Sequence, residues 1–324
     1  MTDTDVGATT PDASLTPSPD TGSDRATAGS ADPVAQDPDP STPNTATAVP
    51  DTPPPSPPPP PLLIGRPQKR NPNAGAALVF LPIFLGGVTL IAGPQIHSEW
   101  ARPIMFGLIC ALTAFEFMAL GFVIRGRASG VLIDARNCMS LSRLQMCGWT
   151  VLVLSAVFVV AAYNVSSGVD KPLNIVIPYE LLIAMGISAT SLVAAPAVLS
   201  VKASQDPSQG DLDNAAGKLN IADTADIPNN GKVMGNISSN DASYIDLFTG
   251  DDVSNFDSPD IGKIQQFLIT LLLLSVYGAA VVSSFIGGGA RYSLPTIDNG
   301  FIWLLGVSNV SYLAYKAAPH PSAN

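Results

Sequence analysis

Six long apolar runs, at residues 74–93, 104–124, 146–165, 179–199, 267–287 and 297–315, constrain this chain more than any other feature. A helix needs about 20 such residues to cross roughly 30 Å of hydrocarbon, and a fold in water has no use for so many runs of that length. The expected class is all-α: a polytopic membrane helix bundle with six transmembrane helices and the lipid bilayer as solvent. Composition supports this only once the chain is divided. It is 46% hydrophobic and 13% charged, yet 18 of its 30 prolines precede Asn73 and every apolar run follows it. Pro82 with Gly86 and Gly87 predicts a kink in the first run, and Lys316 after the last is expected to snorkel to the membrane edge.

The segment 1–73 reads as a disordered Pro/Thr/Asp-rich tail. Up to Pro61 it holds nine aspartates and one basic residue, Arg25. So polar a stretch cannot bury enough apolar surface to offset an ordering cost of about 1–2 kcal/mol per residue. Pro53 to Pro61, broken only by Ser56, is expected to be stiff polyproline II, serving as a spacer or as a docking strip for an aromatic-lined groove. The first apolar stretch lies too deep to be a cleavable leader, so no signal peptide is expected.

Basic residues set the orientation. The tail, the loop after the second run, the insert after the fourth and the C-terminus hold 13 of the 16 Lys and Arg, whereas the alternate loops hold Arg102, Lys171 and Arg291. The positive-inside rule then places both termini in the cytosol of a bacterial inner membrane. A net charge of −10, with no clustered bases, excludes nucleic acid as a partner. Cys110, Cys138 and Cys147 have neither even pairing nor a C-x-x-C spacing and read as free thiols. His97 and His320 fall on opposite sides of the membrane, so neither a metal site nor a cofactor is expected.

The chain also matches itself at a spacing of 120. Gln145, Thr150, Leu152, Leu154 and Ser155 recur as Gln265, Thr270, Leu272, Leu274 and Ser275; Ile177, Gly186, Ser188, Ser191 and Ala194 recur as Ile297, Gly306, Ser308, Ser311 and Ala314. This predicts a duplicated two-helix hairpin, residues 128–202 and 261–316, added to a first helix pair at 74–127. Each copy opens with a cap former, Ser140 or Asp260, then a base, Arg143 or Lys263, then glutamine, Gln145 or Gln265. Such an order suits a helix start at the headgroup level. Gly186, Ser188, Gly306 and Ser308 are small enough to let helices approach closely, or else to line a pathway.

These same residues carry a resemblance. Ser140-Leu-Ser-Arg-Leu-Gln145 with Trp149-Thr150, then Leu181-Leu182 and Met185-Gly-Ile-Ser188, resembles a group of uncharacterised bacterial multi-pass inner-membrane proteins. Asp246-Leu-Phe-Thr-Gly250 followed by Lys263-Ile-Gln265 is similar to that group's second hairpin entry. The resemblance covers roughly residues 128–316 and implies location and architecture; it carries no activity.

Residues 203–260 form an acidic cytoplasmic insert, with 11 aspartates against Lys218 and Lys232. Its Asn, Gly and Ser content favours a solvated loop open to basic partners, with 244–248 apolar enough to pack on the membrane face or on a partner. Its spacing does not supply the ligands of a calcium-binding EF-hand. Residues 317–324 complete the cytoplasmic face. Glu116 is the one carboxylate well inside an apolar run. An ionisable group there costs at least about 2.5–3.5 kcal/mol, so it must form a helix–helix hydrogen bond or line a proton or cation path. Paired intramembrane aspartates, a histidine pair, a serine with a positioned base and phosphate-binding glycine patterns are all missing, so catalysis is not expected. The expected function is an anchor or scaffold that presents tail and insert to cytosolic proteins, with homo-oligomers allowed. The alternative is a small oligomeric channel or transporter with Glu116 on its pathway.

Overall fold

The computed structural model describes residues 72–96, 98–286 and 293–320, all within one compact unit, Leu63–Asn324. The expected disordered tail up to residue 71, with its proline run at 53–61, lies outside the described residues. Helices run Pro72–Ala92 (α1), Ala101–Arg125 (α2), Leu141–Ser166 (α3), Tyr179–Ala203 (α4), Gln209–Leu219 (α5), Ile261–Phe285 (α6) and Asn299–Ala317 (α7). Five of them, α1 to α4 and α6, are long and apolar enough to cross a membrane. The sixth run does form a helix, α7, but Asn299, Ser308, Asn309, Ser311 and Lys316 make it less apolar than the other five. Pro82 lies inside α1, and the helix continues through it to Ala92.

The central helix is α3, which packs on α2, α4 and α6, while α7 lies against α4 and α6. Their shared core is built from Trp149, Val159, Leu181, Val281, Phe285 and Leu305, all nearly or completely enclosed. Outward faces remain apolar: Leu268, Trp303, Val307 and Val310 are exposed. In water such faces would associate; in hydrocarbon they need no cover.

The insert is not the solvated loop that its composition suggests. It contains α5, capped where Ser208 Oγ accepts from the Asp211 amide, a short antiparallel hairpin of β1 (Asn229–Asn230) and β2 (Val233–Met234), and a 3-10 turn at Tyr244–Leu247. Ala215, Ala216, Ile227, Met234 and Val253 form a small core of its own. A second cluster joins Leu247 and Ala242 to Ile133, Met139 and Leu141 before and at the start of α3, with Phe248 edge-on to Phe267 of α6. Composition misleads here because the few apolar residues are spaced so that they converge. Of the apolar 244–248 stretch, Leu247 and Phe248 turn inward, while Tyr244 and Ile245 remain exposed.

The loop between α2 and α3 is fastened to the insert by polar groups. Arg127 donates to three backbone carbonyls, those of Ser239, Asn240 and Ala242, at 2.8–2.9 Å. Asn137, in the left-handed region, donates to the carbonyl of Asn236, and the Met139 amide donates to Asp246. At the end of α2 the loop folds back so closely that a β-carbon on Gly121 would meet the Ala128 carbonyl at 2.7 Å, which only glycine allows.

Candidate functional site

The insert and the helix ends meet at two consecutive carboxylates, Asp251 and Asp252. Asp251 accepts from Lys263 near the start of α6 at 3.0 Å, from Lys316 near the end of α7, and from Arg136 in the α2–α3 loop at 2.8 Å. Arg136 also pairs with Asp134 at 2.9 Å. Asp252 takes Lys202, near the end of α4, at 2.6 Å, and Lys202 also donates to the Ala318 carbonyl. Two neighbouring residues thus hold α4, α6, α7 and the α2–α3 loop to one point.

Asp251, Asp252, Lys202, Lys263 and Lys316 are all less than a tenth exposed. Burial alone would raise the Asp251 carboxyl, but Lys316, Lys263 and Arg136 around it outweigh that and hold it well below the usual carboxylate range. Here the expected snorkelling fails: Lys263 and Lys316 do not reach for headgroups, because the folded insert brings a carboxylate and carbonyls to them. Lys263 Nζ donates to the carbonyls of Asp246 and Thr249 as well as to Asp251.

The other sequence-selected residues separate into those that join this region and those that do not. Asp260 caps α6, its Oδ1 accepting from the Lys263 amide at 3.0 Å. Ser140 occupies the equivalent place before α3, but its side chain makes no capping bond. Gln145 is fully buried and accepts from Gln266 Nε2 at 3.2 Å; Gln266 in turn accepts from the hydroxyl of Ser308. Gln265, the residue that the 120 spacing selects, is exposed.

A helix turns by about 100° per residue, so one position decides which side chain faces the core. Burial in the two hairpins coincides at a spacing of 121: Gln145 with Gln266, Trp149 with Thr270, Ala156 with Tyr277, Val160 with Val281, Ala184 with Leu305 and Ser191 with Tyr312. Most of the identical residues therefore do not occupy matching faces. Ser188 and Ser308 are both buried, but Ser188 Oγ bonds its own helix at Ala184. The glycines do not mediate close helix approach. A β-carbon on Gly186 would meet nothing within 4 Å, and one on Gly306 would make ordinary contact with Ile187 at 3.8 Å.

Glu116 lies in the second half of α2, half-buried, and its Oε2 is enclosed without a hydrogen-bond partner among the described residues. It makes no ion pair with the Asp251 cluster, so the sequence-selected carboxylate is not one of the residues that tie the insert to the bundle. The cluster itself was missed. One signal could have found it: Lys202, Lys263 and Lys316 each stand at a helix end on the same side as the insert, and only the insert offers that side consecutive carboxylates.

The cysteines are free. Burial pushes the Cys138 thiol up to about 11, with the Arg136 charge partly opposing. A thiol so placed is protonated at neutral pH, and alkylation by iodoacetamide at pH 7.5 is expected to run roughly a hundredfold slower than for a free cysteine. Peptide mass spectrometry of a timed reaction checks this; rapid modification of Cys138 would mean that the loop opens in solution.

Beside the cluster lies a cavity of about 680 Å³ between the start of α3 and the second half of α4. The arrangement pairs charges and presents a partly apolar hollow. Comparison with family models, with curated proteins and with solved structures returns no match.

Proposed function

We propose that the protein is a non-catalytic, six-span bacterial inner-membrane protein that acts as an anchor or scaffold, holding its tail and its acidic insert toward cytosolic protein partners. One observation carries the reading: the insert has its own core and is tied by Asp251 and Asp252 to three helices and a loop. Such a segment is held at a fixed height and orientation over the bundle, which suits a platform. Its surface keeps many of its aspartates outward, so basic protein surfaces are the complementary partner class. The distribution of Lys and Arg favours cytosolic termini, and the duplicated hairpin supplies the last four spans.

A small channel or transporter is the second reading, favoured by the enclosed, unpartnered Glu116 Oε2. Two measurements separate them. In-cell crosslinking and pull-down with the full chain and with residues 1–61 deleted is expected to recover partners that depend on the tail. Liposome flux with the native chain and with Glu116→Gln is expected to show no difference between them. Flux abolished by Glu116→Gln, with partner recovery indifferent to the tail, would reverse the order of the two readings.

A further inference from the structure

We infer that the cavity between α3 and α4 is a binding site for one anionic phospholipid from the leaflet on the insert side. The chemistry of its lining is divided. Leu192, Pro196 and Leu199 of α4 provide one apolar wall, and Phe117 of α2 with Met146 of α3 another; its charged end carries Asp134, Arg136, Arg143, Asp251, Lys263 and Lys316. The wall sits within helices long and apolar enough to cross a membrane, and the charged end is built from the starts of α3 and α6, the end of α7, the α2–α3 loop and the insert, where a bilayer would change from acyl chain to headgroup. A headgroup alone would have no use for the wall, and a neutral lipid none for the bases.

The charged end is net positive, with four bases against two carboxylates. Three of the bases are engaged: Lys263 and Lys316 on Asp251, and Arg136 on Asp251 and Asp134. Arg143 is not. Its guanidinium donates to the Val131 carbonyl at 3.2 Å and has no carboxylate partner among the described residues. A half-buried guanidinium retains donors for a phosphate diester, and Arg suits phosphate through its planar fork of N–H groups. Pro196 has no amide to bond the carbonyl of Leu192 one turn earlier, and both residues line the cavity.

This inference rests on the chain lying in a bilayer but not on its being a scaffold. The test uses the full chain in mild detergent, titrated with dioleoyl-phosphatidylglycerol or dioleoyl-phosphatidylcholine, with retained lipid counted by native mass spectrometry. One phosphatidylglycerol is expected to be held about tenfold more tightly than phosphatidylcholine. Arg143→Gln should remove that preference and Arg143→Lys should keep part of it; Lys218→Gln, which alters an exposed base paired with Asp257, should leave it unchanged. Ser200→Trp, at an exposed position lining the cavity, should block retention by filling the space, and it decides the matter if the Arg143 variants fold poorly. Inorganic phosphate at millimolar concentration should not displace the lipid. Equal retention of the two lipids, an unchanged preference in Arg143→Gln, or displacement by phosphate would each overturn the assignment.

Discussion

Replacing Asp251 by Asn is expected to detach the insert from the bundle and to lower stability by about 3–5 kcal/mol, the cost of removing one partner from a buried ionic group. The substitution keeps the shape of the side chain but leaves Lys263, Lys316 and Arg136 converging on a neutral amide. Both lysines are buried, so their charges would lose their carboxylate partner in a largely desolvated place. Hydrogen exchange should show the change first in residues 203–260 and at the ends of α6 and α7, with a lower midpoint of thermal unfolding in detergent. Unchanged exchange there would mean that the hydrophobic contacts of Leu247 and Phe248 hold the insert without the ion pairs.

The same carboxylate predicts how acid acts. Its folded pKa lies well below the ordinary value, so its stabilisation is complete above the unfolded pKa of about 3.9 and is lost as pH falls through the depressed folded value. The insert should therefore remain docked through mildly acidic conditions and loosen only below about pH 4. In Asp251→Asn that contribution to the pH dependence should disappear.

Trp149→Ala should have the next largest effect, a loss of about 3 kcal/mol at the low end of the range for truncating a buried tryptophan. Trp149 is fully enclosed on the central helix, with its ring 6.2 Å from that of Tyr277 on α6. In lipid the transfer part of the usual penalty shrinks, because the unfolded reference is also apolar; the lost dispersion contacts remain. Trp149→Phe should recover most of the loss. Thermal unfolding in detergent, with α3–α6 crosslinking as a check on packing, measures it. An Ala variant as stable as the native chain would show that the neighbouring helices collapse into the gap.

Of the sequence-selected residues, Asp260 was legible as a cap because helix starts have local rules, whereas the buried pairing of Lys263 with Asp251 was not. The insert's fold was not legible by the same means. Its core residues, Ala215, Ala216, Ile227, Met234 and Val253, are too few and too irregularly spaced to give a period, and they form a core only once α5 and the short β1–β2 hairpin bring them together. The glutamines show the limit most sharply. Identity along the chain selects Gln265, but the face of α6 turned toward α3 holds Gln266.

Length and hydropathy of the apolar runs are enough, without any folded structure, to expect six membrane-crossing helices, because backbone hydrogen bonding in hydrocarbon permits little else; all six runs are helical, and five of those helices are long and apolar enough to cross a membrane. Which charges would be solvated and which enclosed was decided only by tertiary structure. Lys202 and Lys263 are separated along the chain by the whole insert, and Lys263 and Lys316 by the α6–α7 hairpin; only the folding back of the insert converts three edge lysines into the buried partners of Asp251 and Asp252. Ion pairing depends on distance in space, and no local pattern along the chain encodes it.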